Sequence, residues 1–338
     1  MEQKHVGDGL FEFTYKNAVG AGIKLTNLGC AIMELHMPDS QGNMADVVLG
    51  YDTASGYEDN SPSIGVTIGR YANRVTCHPY EINGQTYYPV CDTGKPYVIH
   101  GDPLRFSRRA WDAEAREHSV LFKLRSEEGE SGFPGNVDVG VEIALSDQNI
   151  LRITYSAQTD KDTPLNLTNH SYFNLRGEGS IEEYIAQIDA DHFTAYDQNL
   201  VPTGEVASVF GTPFDFNSPR AIGERIDESH PMLKAGGGYD LNYIIRGIGM
   251  RRAARVHDPK TGRFMETWTD MPGVQFYTSN NLGATKGKNG AQYGRRSAFC
   301  LETQFFPDSI HFPHFPNSIL KAGDQYTSVT EYRFGVQV

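Results

Sequence analysis

Turns recur along this chain at short intervals, and the segments between them carry strand periodicity. Glu81-Ile82-Asn83-Gly84-Gln85-Thr86-Tyr87-Tyr88 sets Asn-Gly between two strand-like arms. Asn and Gly tolerate positive φ, which a two-residue hairpin turn demands. Residues 38–43, 146–149 and 258–262 read as further turns, rich in Pro, Asp, Asn, Ser and Gly. Arms such as residues 150–155 are alternating or β-branched. Helical periodicity is scarce; the best candidate is residues 218–228, with Ser218 as N-cap before Pro219. No repeat, low-complexity linker or charge block divides the chain. At 338 residues, length alone suggests about two domains, but a sandwich reaches this size as one. The pattern predicts an all-β chain, a large antiparallel β-sandwich with long loops, with residues 1–338 as a single domain.

The formal charge of −12 argues against nucleic acid or an anionic membrane as partner, because phosphate-rich surfaces attract Lys and Arg. A neutral small molecule is indifferent to it. No apolar stretch reaches the length of a membrane-spanning helix. Residues 1–10 are polar and lack an apolar signal core. The expected location is therefore cytoplasmic, with a removed signal peptide left open, and the expected state is monomer or homodimer. Cys30, Cys77, Cys91 and Cys300 show no CxxC spacing. They read as four reduced, mostly buried thiols, with a Cys77–Cys91 pairing across a hairpin as the open alternative.

Two stretches carry chemistry. In a strand, alternate side chains share a face. Read that way, residues 163–175 put Asn166, Thr168, His170, Tyr172 and Asn174 on one face, and Leu165, Leu167, Asn169, Ser171 and Phe173 on the other. Five hydrogen-bonding side chains around a titratable histidine suit a polyhydroxylated ligand. A solvent-facing strand surface presents the same pattern. In residues 298–307, Cys300, Glu302 and Gln304 share a face among apolar neighbours, before Pro307 ends the strand. A carboxylate there loses solvation, which raises its pKa toward that of a base useful near neutrality. The competing reading is a rim glutamate on an edge strand. Gln275 and Tyr277 share a face in a third such strand.

Together these stretches resemble the aldose 1-epimerase (galactose mutarotase) family. The likeness runs in order through Asp46-Val47-Val48-Leu49-Gly50-Tyr51, Ile68-Gly69-Arg70-Tyr71-Ala72-Asn73-Arg74, Ile99-His100-Gly101 and Gly132-Phe133-Pro134-Gly135. It continues through Asn166 to Leu175, Gly238-Tyr239-Asp240-Leu241-Asn242, Pro272 to Thr278 and Cys300-Leu301-Glu302-Thr303-Gln304. The resemblance implies a supersandwich fold and mutarotation of free hexoses such as D-galactose and D-glucose. It implies His170 as general acid and Glu302 as general base. It further implies Asn73, Arg74, His100, Asp240 and Gln275 as sugar-binding residues, and Tyr172, on the same strand face as His170, is counted with them as substrate-binding. No cofactor is implied, because proton transfer to and from sugar oxygens needs only an acid and a base. The implied partner is a monosaccharide.

Three departures from the family pattern bear on sugar preference. The glycine-rich run after the histidine reads His100-Gly101-Asp102-Pro103-Leu104-Arg105-Phe106, which predicts a stiffer loop. Leu241 stands where the family usually has His, which predicts one polar contact fewer beside Asp240. The segment His311-Phe312-Pro313-His314-Phe315 is unusual. Two other functions compete. A hexose-6-phosphate mutarotase needs inward cations, for which Arg108-Arg109, Arg251-Arg252 and Arg295-Arg296 are candidates. A non-catalytic carbohydrate-binding domain would lack one proton-transfer group, whereas both are present. A metal held by His311 and His314 is disfavoured, because their spacing falls in a Pro/Phe-rich loop and not on a helix.

Overall fold

The computed structural model describes residues 1–91 and 94–337. Its strand ladders pair antiparallel, as the hairpin spacing predicts. The largest sheet has nine strands. Its central run is Ser119–Ser126, Val137–Leu145, Ile150–Thr159, Tyr326–Val336 and Arg263–Thr269. A five-stranded sheet runs Pro202–Ser208, Ala190–Tyr196, Asp240–Ile245, Gly273–Tyr277, Cys300–Gln304. A third sheet, of five strands, forms from Glu2–Gly7 through Met44–Asp46.

Alternation explains the packing. Along Val137–Leu145 every second side chain is buried and the rest are more exposed. One buried cluster joins Phe13, Leu25 and Leu35 of the third sheet to Phe122 and Val141 of the first and to Tyr243 and Phe276 of the second. Phe13 meets Phe122 edge-on, with centroids 5.8 Å apart. The fold is a large antiparallel β-sandwich.

The predicted hairpin is present: Tyr80–Ile82 pairs with Gln85–Tyr87 around Asn83 and Gly84, both at positive φ. The turns at 38–43, 146–149 and 258–262 likewise join paired strands.

The helix expected at residues 218–228 is absent. Arg220–Ala221 instead pairs with Ile185–Ala186 at the edge of the nine-stranded sheet. A short 3-10 turn, Ile222–Glu224, follows, and inside it the Gly223 amide donates to the Glu182 carbonyl at 2.8 Å. Sheet pairing outweighs weak helical propensity here. The α-helix lies further on, at Pro231–Gly236. Pro231 opens it, the His230 side chain accepts from the Met232 amide, and Gly237 closes it in the left-handed conformation.

The long strand read into residues 163–175 is also corrected. That segment makes two short ladders, Thr163–Pro164 with Ile319–Leu320 and Thr168–Asn169 with Thr67–Ile68, and then bridges Phe173 to both Val48 and Phe299. Its backbone is shared among several neighbours, so the chain threads between sheets.

The cysteine reading is corrected in part. Cys77 and Cys91 form a disulfide, while Cys30 and Cys300 are free and buried. Among the described residues, no helix is long and apolar enough to cross a membrane.

Candidate active site

Three neighbouring strands of the second sheet bring polar groups into one pocket. Register places Asn242 opposite Gln275, and Gln275 opposite Glu302. Asp240, at the start of its strand, sits diagonally from Gln275 and accepts a hydrogen bond from Gln275 Nε2 at 2.6 Å. Period-two alternation turns Asp240, Gln275 and Glu302 toward the pocket and Leu241, Phe276 and Leu301 into the core. Leu241 therefore does not face the sugar side, and the polar contact expected to be missing beside Asp240 is not a position this strand presents to the pocket.

A two-stranded ribbon faces them. Arg74–Thr76 pairs with Tyr97–Ile99, so Asn73-Arg74 and His100 come from adjacent strand ends. Gly101 after His100 has φ of +79°, and a Cβ there would lie 2.2 Å from the Gly69 carbonyl oxygen. Only glycine lets the histidine loop approach so closely. Beyond it, Arg105 forms a bidentate ion pair with Asp102. Arg74 Nη2 donates to Asp240 Oδ2 at 3.0 Å, and its guanidinium lies over the Tyr97 ring. Breaking such a buried pair from one side costs about 3–5 kcal/mol.

His170 enters from the opposite wall. Its backbone is pinned by the Val66 carbonyl and the Gly65 amide. Its ring stacks on Tyr172 at 5.0 Å, and Tyr172 donates its hydroxyl proton to the Pro62 carbonyl. His170 Nε2 lies 3.6 Å from Glu302 Oε1, with both residues almost fully buried.

Of the five polar side chains expected on one face, only His170 and Tyr172 line the pocket. Asn166 instead pairs with the backbone of Phe305, and Asn174 binds backbone around it and the Tyr184 hydroxyl. Thr168 is buried outside the pocket. These groups satisfy irregular chain.

The electrostatics follow from burial. Burial and the nearby Asp240 charge push the Glu302 carboxyl well above its ordinary range, with Arg74 pulling the other way. Burial drives His170 down to about 4. Both directions disfavour isolated charges, so the pair holds one proton between them. His100 is held well below the usual histidine range by burial and by His170, Arg105 and Arg74. It is neutral, and its Nδ1 accepts from the Asn73 amide at 3.3 Å. Its Nε2 therefore carries the proton.

The pocket has a volume of about 320 Å³. The structure brings Asn73, Arg74, His100, His170, Tyr172, Asp240, Gln275 and Glu302 together around it. Arg74 Nε, Gln275 Oε1 and Glu302 Oε2 are buried there without a protein partner among the described residues. Such atoms suit hydroxyl groups, which both donate and accept. Arg105, Lys95, Asn281 and Tyr277 also line the pocket and were not singled out as site residues. Tyr277 was legible, since it shares the Gln275 face. Lys95 and Arg105 lie in loops that carry no periodic signal.

His100, His170 and Glu302 each offer a ligand atom within 4.8 Å of the others, a set able to hold a divalent cation. Arg74 and Arg105 line the same pocket, each paired with its own carboxylate, Asp240 and Asp102. His311 and His314 do not act together: His311 binds Asp308, Thr76 and the His78 carbonyl, and His314 binds the Gly204 carbonyl.

Comparison with known proteins places this geometry. Residues 12–333 match the family model described as aldose 1-epimerase. A galactose mutarotase of Bos taurus is 42% identical over 318 residues, covering 93% of this chain and 91% of that protein. An aldose 1-epimerase of Escherichia coli (strain K12) is 35% identical over 329 residues, covering 95% and 94%. The crystal structure of an aldose epimerase homologue from C. elegans superposes with a TM-score of 0.88 at 30% identity, covering 97% of this chain and 99% of that one.

Proposed function

This chain belongs to the aldose 1-epimerase family and is a mutarotase; from that premise we propose that His170 and Glu302 carry out the reaction as general acid and general base on free hexoses such as D-galactose and D-glucose. The observation that supports the assignment most is the 3.6 Å separation of His170 Nε2 and Glu302 Oε1 in a pocket of hydroxyl-binding groups. Ring opening removes a proton from the C1 hydroxyl and adds one to the ring oxygen. Both oxygens are bonded to the same carbon, so donor and acceptor must sit side by side.

Glu302 takes the C1 hydroxyl proton as the bond from C1 to the ring oxygen breaks. His170 gives its proton to the ring oxygen. The open-chain aldehyde turns about C1–C2. The reverse transfers then close the ring with the opposite anomeric configuration, and the pair regains its starting protonation. The ionic pair that starts this cycle differs from the neutral one only in where the shared proton sits. Sugar hydroxyls donating to Glu302 Oε2 stabilise its carboxylate and favour the reactive form.

Asp240, Arg74, Asn73 and Gln275 hold the remaining hydroxyls. Arg74 and the Nε2 proton of His100 stabilise negative charge on oxygen during opening. Tyr172 acts on His170 rather than on sugar, since its hydroxyl is already committed to Pro62.

The test is polarimetry on fresh α-D-glucose and α-D-galactose with His170→Ala and Glu302→Ala. Each should lower kcat by about 10²–10⁴-fold, the range for one acid or base. A variant within a few-fold of wild type would remove that residue from the mechanism.

A further inference from the structure

A mutarotase accepts both anomers of its sugar, whose O1 atoms lie on different sides of C1. Glu302 takes the O1 proton when one anomer opens and returns it when the other closes. The pocket therefore admits an oxygen at either position on C1, each within reach of the same carboxylate. The axial position stands off the face of the ring, which is the side from which a nucleophile approaches a planar C1. Glu302 has two oxygens to offer: Oε1 lies 3.6 Å from His170 Nε2, while Oε2 is buried without a protein partner among the described residues. Gln275 stands opposite Glu302 in the strand ladder; its Nε2 is spent on Asp240, and its Oε1 is likewise buried without a partner. Two such acceptors on paired strands suit a molecule that donates twice, and water does so.

We propose that the same pocket hydrolyses hexono-1,5-lactones, the cyclic esters of aldonic acids, with solvent water as the nucleophile. This rests on the reading of His170 and Glu302 as acid and base. Such a lactone is a hexopyranose less two hydrogens, so it takes no more room in the pocket of about 320 Å³. Its C1 oxygen is a carbonyl and donates nothing, so Glu302 loses the donor that a hexose supplies. A buried carboxylate left without a donor draws in water. The reaction starts from the same ionic pair as mutarotation, Glu302 as carboxylate and His170 as imidazolium. Glu302 takes one proton from the water as the water oxygen bonds C1 and the carbonyl electron pair moves onto O1. Arg74 and the Nε2 proton of His100 stabilise the oxyanion. That intermediate is a hexose oxyanion with a hydroxyl in place of the hydrogen on C1. Its two oxygens fill the positions that the two anomers use in turn. Collapse re-forms the carbonyl, breaks the bond from C1 to the ring oxygen and places the His170 proton on that oxygen, as in ring opening. One lactone and one water give one open-chain aldonic acid, with no change of oxidation state. The acid ionises in solvent, and the proton on Glu302 passes to His170 to restore the starting pair.

The test is pH-stat titration of the acid released from D-glucono-1,5-lactone by the full-length protein, with the spontaneous rate subtracted. It is run at about pH 6, inside the ordinary window of a Glu–His pair. Release should rise in proportion to protein, and D-galactose should suppress it competitively over the range that half-saturates its own mutarotation. His170→Ala and Glu302→Ala should each lower release by about 10²–10⁴-fold, the range for one acid or base. A wild-type protein that leaves the lactone at its spontaneous rate overturns the proposal, and that measurement needs no variant to fold. A lactone that only inhibits mutarotation, release that galactose does not suppress, and release that persists in either variant overturn it as well. Polarimetry on the same preparations keeps the two readings apart. Mutarotation lost in both variants, with no lactone hydrolysis by the wild type, overturns the lactonase and leaves the acid–base pair standing. Mutarotation retained in a variant overturns the pair, and the lactonase with it.

Discussion

His170 Nε2 stands 3.6 Å from Glu302 Oε1, and the two groups share one proton in a site almost closed to water. The pH dependence of catalysis follows from that sharing. Adding a second proton creates a buried imidazolium beside a neutral acid, which burial resists by driving His170 down to about 4. Removing the last proton leaves a bare buried carboxylate, which burial and Asp240 resist by pushing Glu302 up. Both limbs of the profile therefore retreat from neutrality. Ordinary Glu and His values would confine activity to about pH 4.3–6.5. The expected kcat/KM profile is instead a broad plateau that starts near the acid end of that window and extends past neutral pH. Polarimetry with the spontaneous rate subtracted measures it. A narrow bell inside the ordinary window would contradict the shared-proton description.

His311 makes a second, unrelated pH prediction. Its Nδ1 is 2.6 Å from Asp308 Oδ1 and its Nε2 3.0 Å from the His78 carbonyl. Both partners are acceptors, so both ring nitrogens carry protons. Burial lowers its pKa, but the Asp308 bond and charge and the carbonyls of His78 and Pro79 outweigh it, and the net shift is upward. A raised histidine contributes stability that is fully present below its unfolded value of about 6.5 and is lost as pH rises through the folded value. His311→Gln should therefore lower Tm more at pH 5.5 than at pH 9. Thermal melts at the two pH values test this; an equal cost at both would mean that His311 is held as a neutral ring.

Legibility varied with how local the cause was. The 81–88 hairpin was readable because Asn83-Gly84 specify their own turn. Glu302 and Gln275 were readable because each sits in a regular strand, where alternation decides the face. The row from Asn166 to Asn174 was not, because alternation says which side a residue takes but not what lies there. Most of that side is irregular backbone from other segments, which Asn166 and Asn174 satisfy. The 218–228 helix failed for a similar reason, since a distant edge at Ile185 claimed the segment. Arg105 was hidden because its place in the pocket depends on the fold of the loop after Gly101.

The Cys77–Cys91 disulfide staples the segment joining the two strands that carry Arg74 and His100. It closes a loop with a sequence separation of 14. Loop-closure entropy for that length corresponds to about 3 kcal/mol. Replacing both cysteines with serine should lower unfolding stability by about that amount, and reduction of the wild type should do likewise. Denaturant melts with and without reductant decide it, and a change under about 0.5 kcal/mol would show that the bond constrains little. Such bonds persist in oxidising compartments, which weighs against the cytoplasmic location expected from the sequence.

The last prediction concerns substrate charge. A hexose 6-phosphate needs free cations in the pocket, and the candidate arginine pairs do not supply them. Arg109 bonds Glu130, Arg252 bonds Asp189, and Arg251 is spent on backbone carbonyls. Arg295 and Arg296 bind the Gly237 carbonyl. None of these lines the pocket. Arg74, Arg105 and Lys95 do; the two arginines are neutralised by their own carboxylates, Asp240 and Asp102, which leaves Lys95 as a single cation. One lysine does not repay the desolvation of a phosphate beside the Arg74–Asp240 and His170–Glu302 pairs, so a phosphate would enter at a cost. Free hexoses should therefore exceed their 6-phosphates by at least about tenfold in kcat/KM, roughly 1.4 kcal/mol of transition-state discrimination. Leu241 packs in the core and adds no contact that distinguishes galactose from glucose, so both should be turned over. Polarimetric kcat/KM for glucose, galactose and their 6-phosphates in one buffer gives the ratio. A phosphate that outperformed its free sugar would mean that Lys95 meets it or that Arg105 leaves Asp102 to do so, and Lys95→Gln or Arg105→Gln would then abolish the advantage.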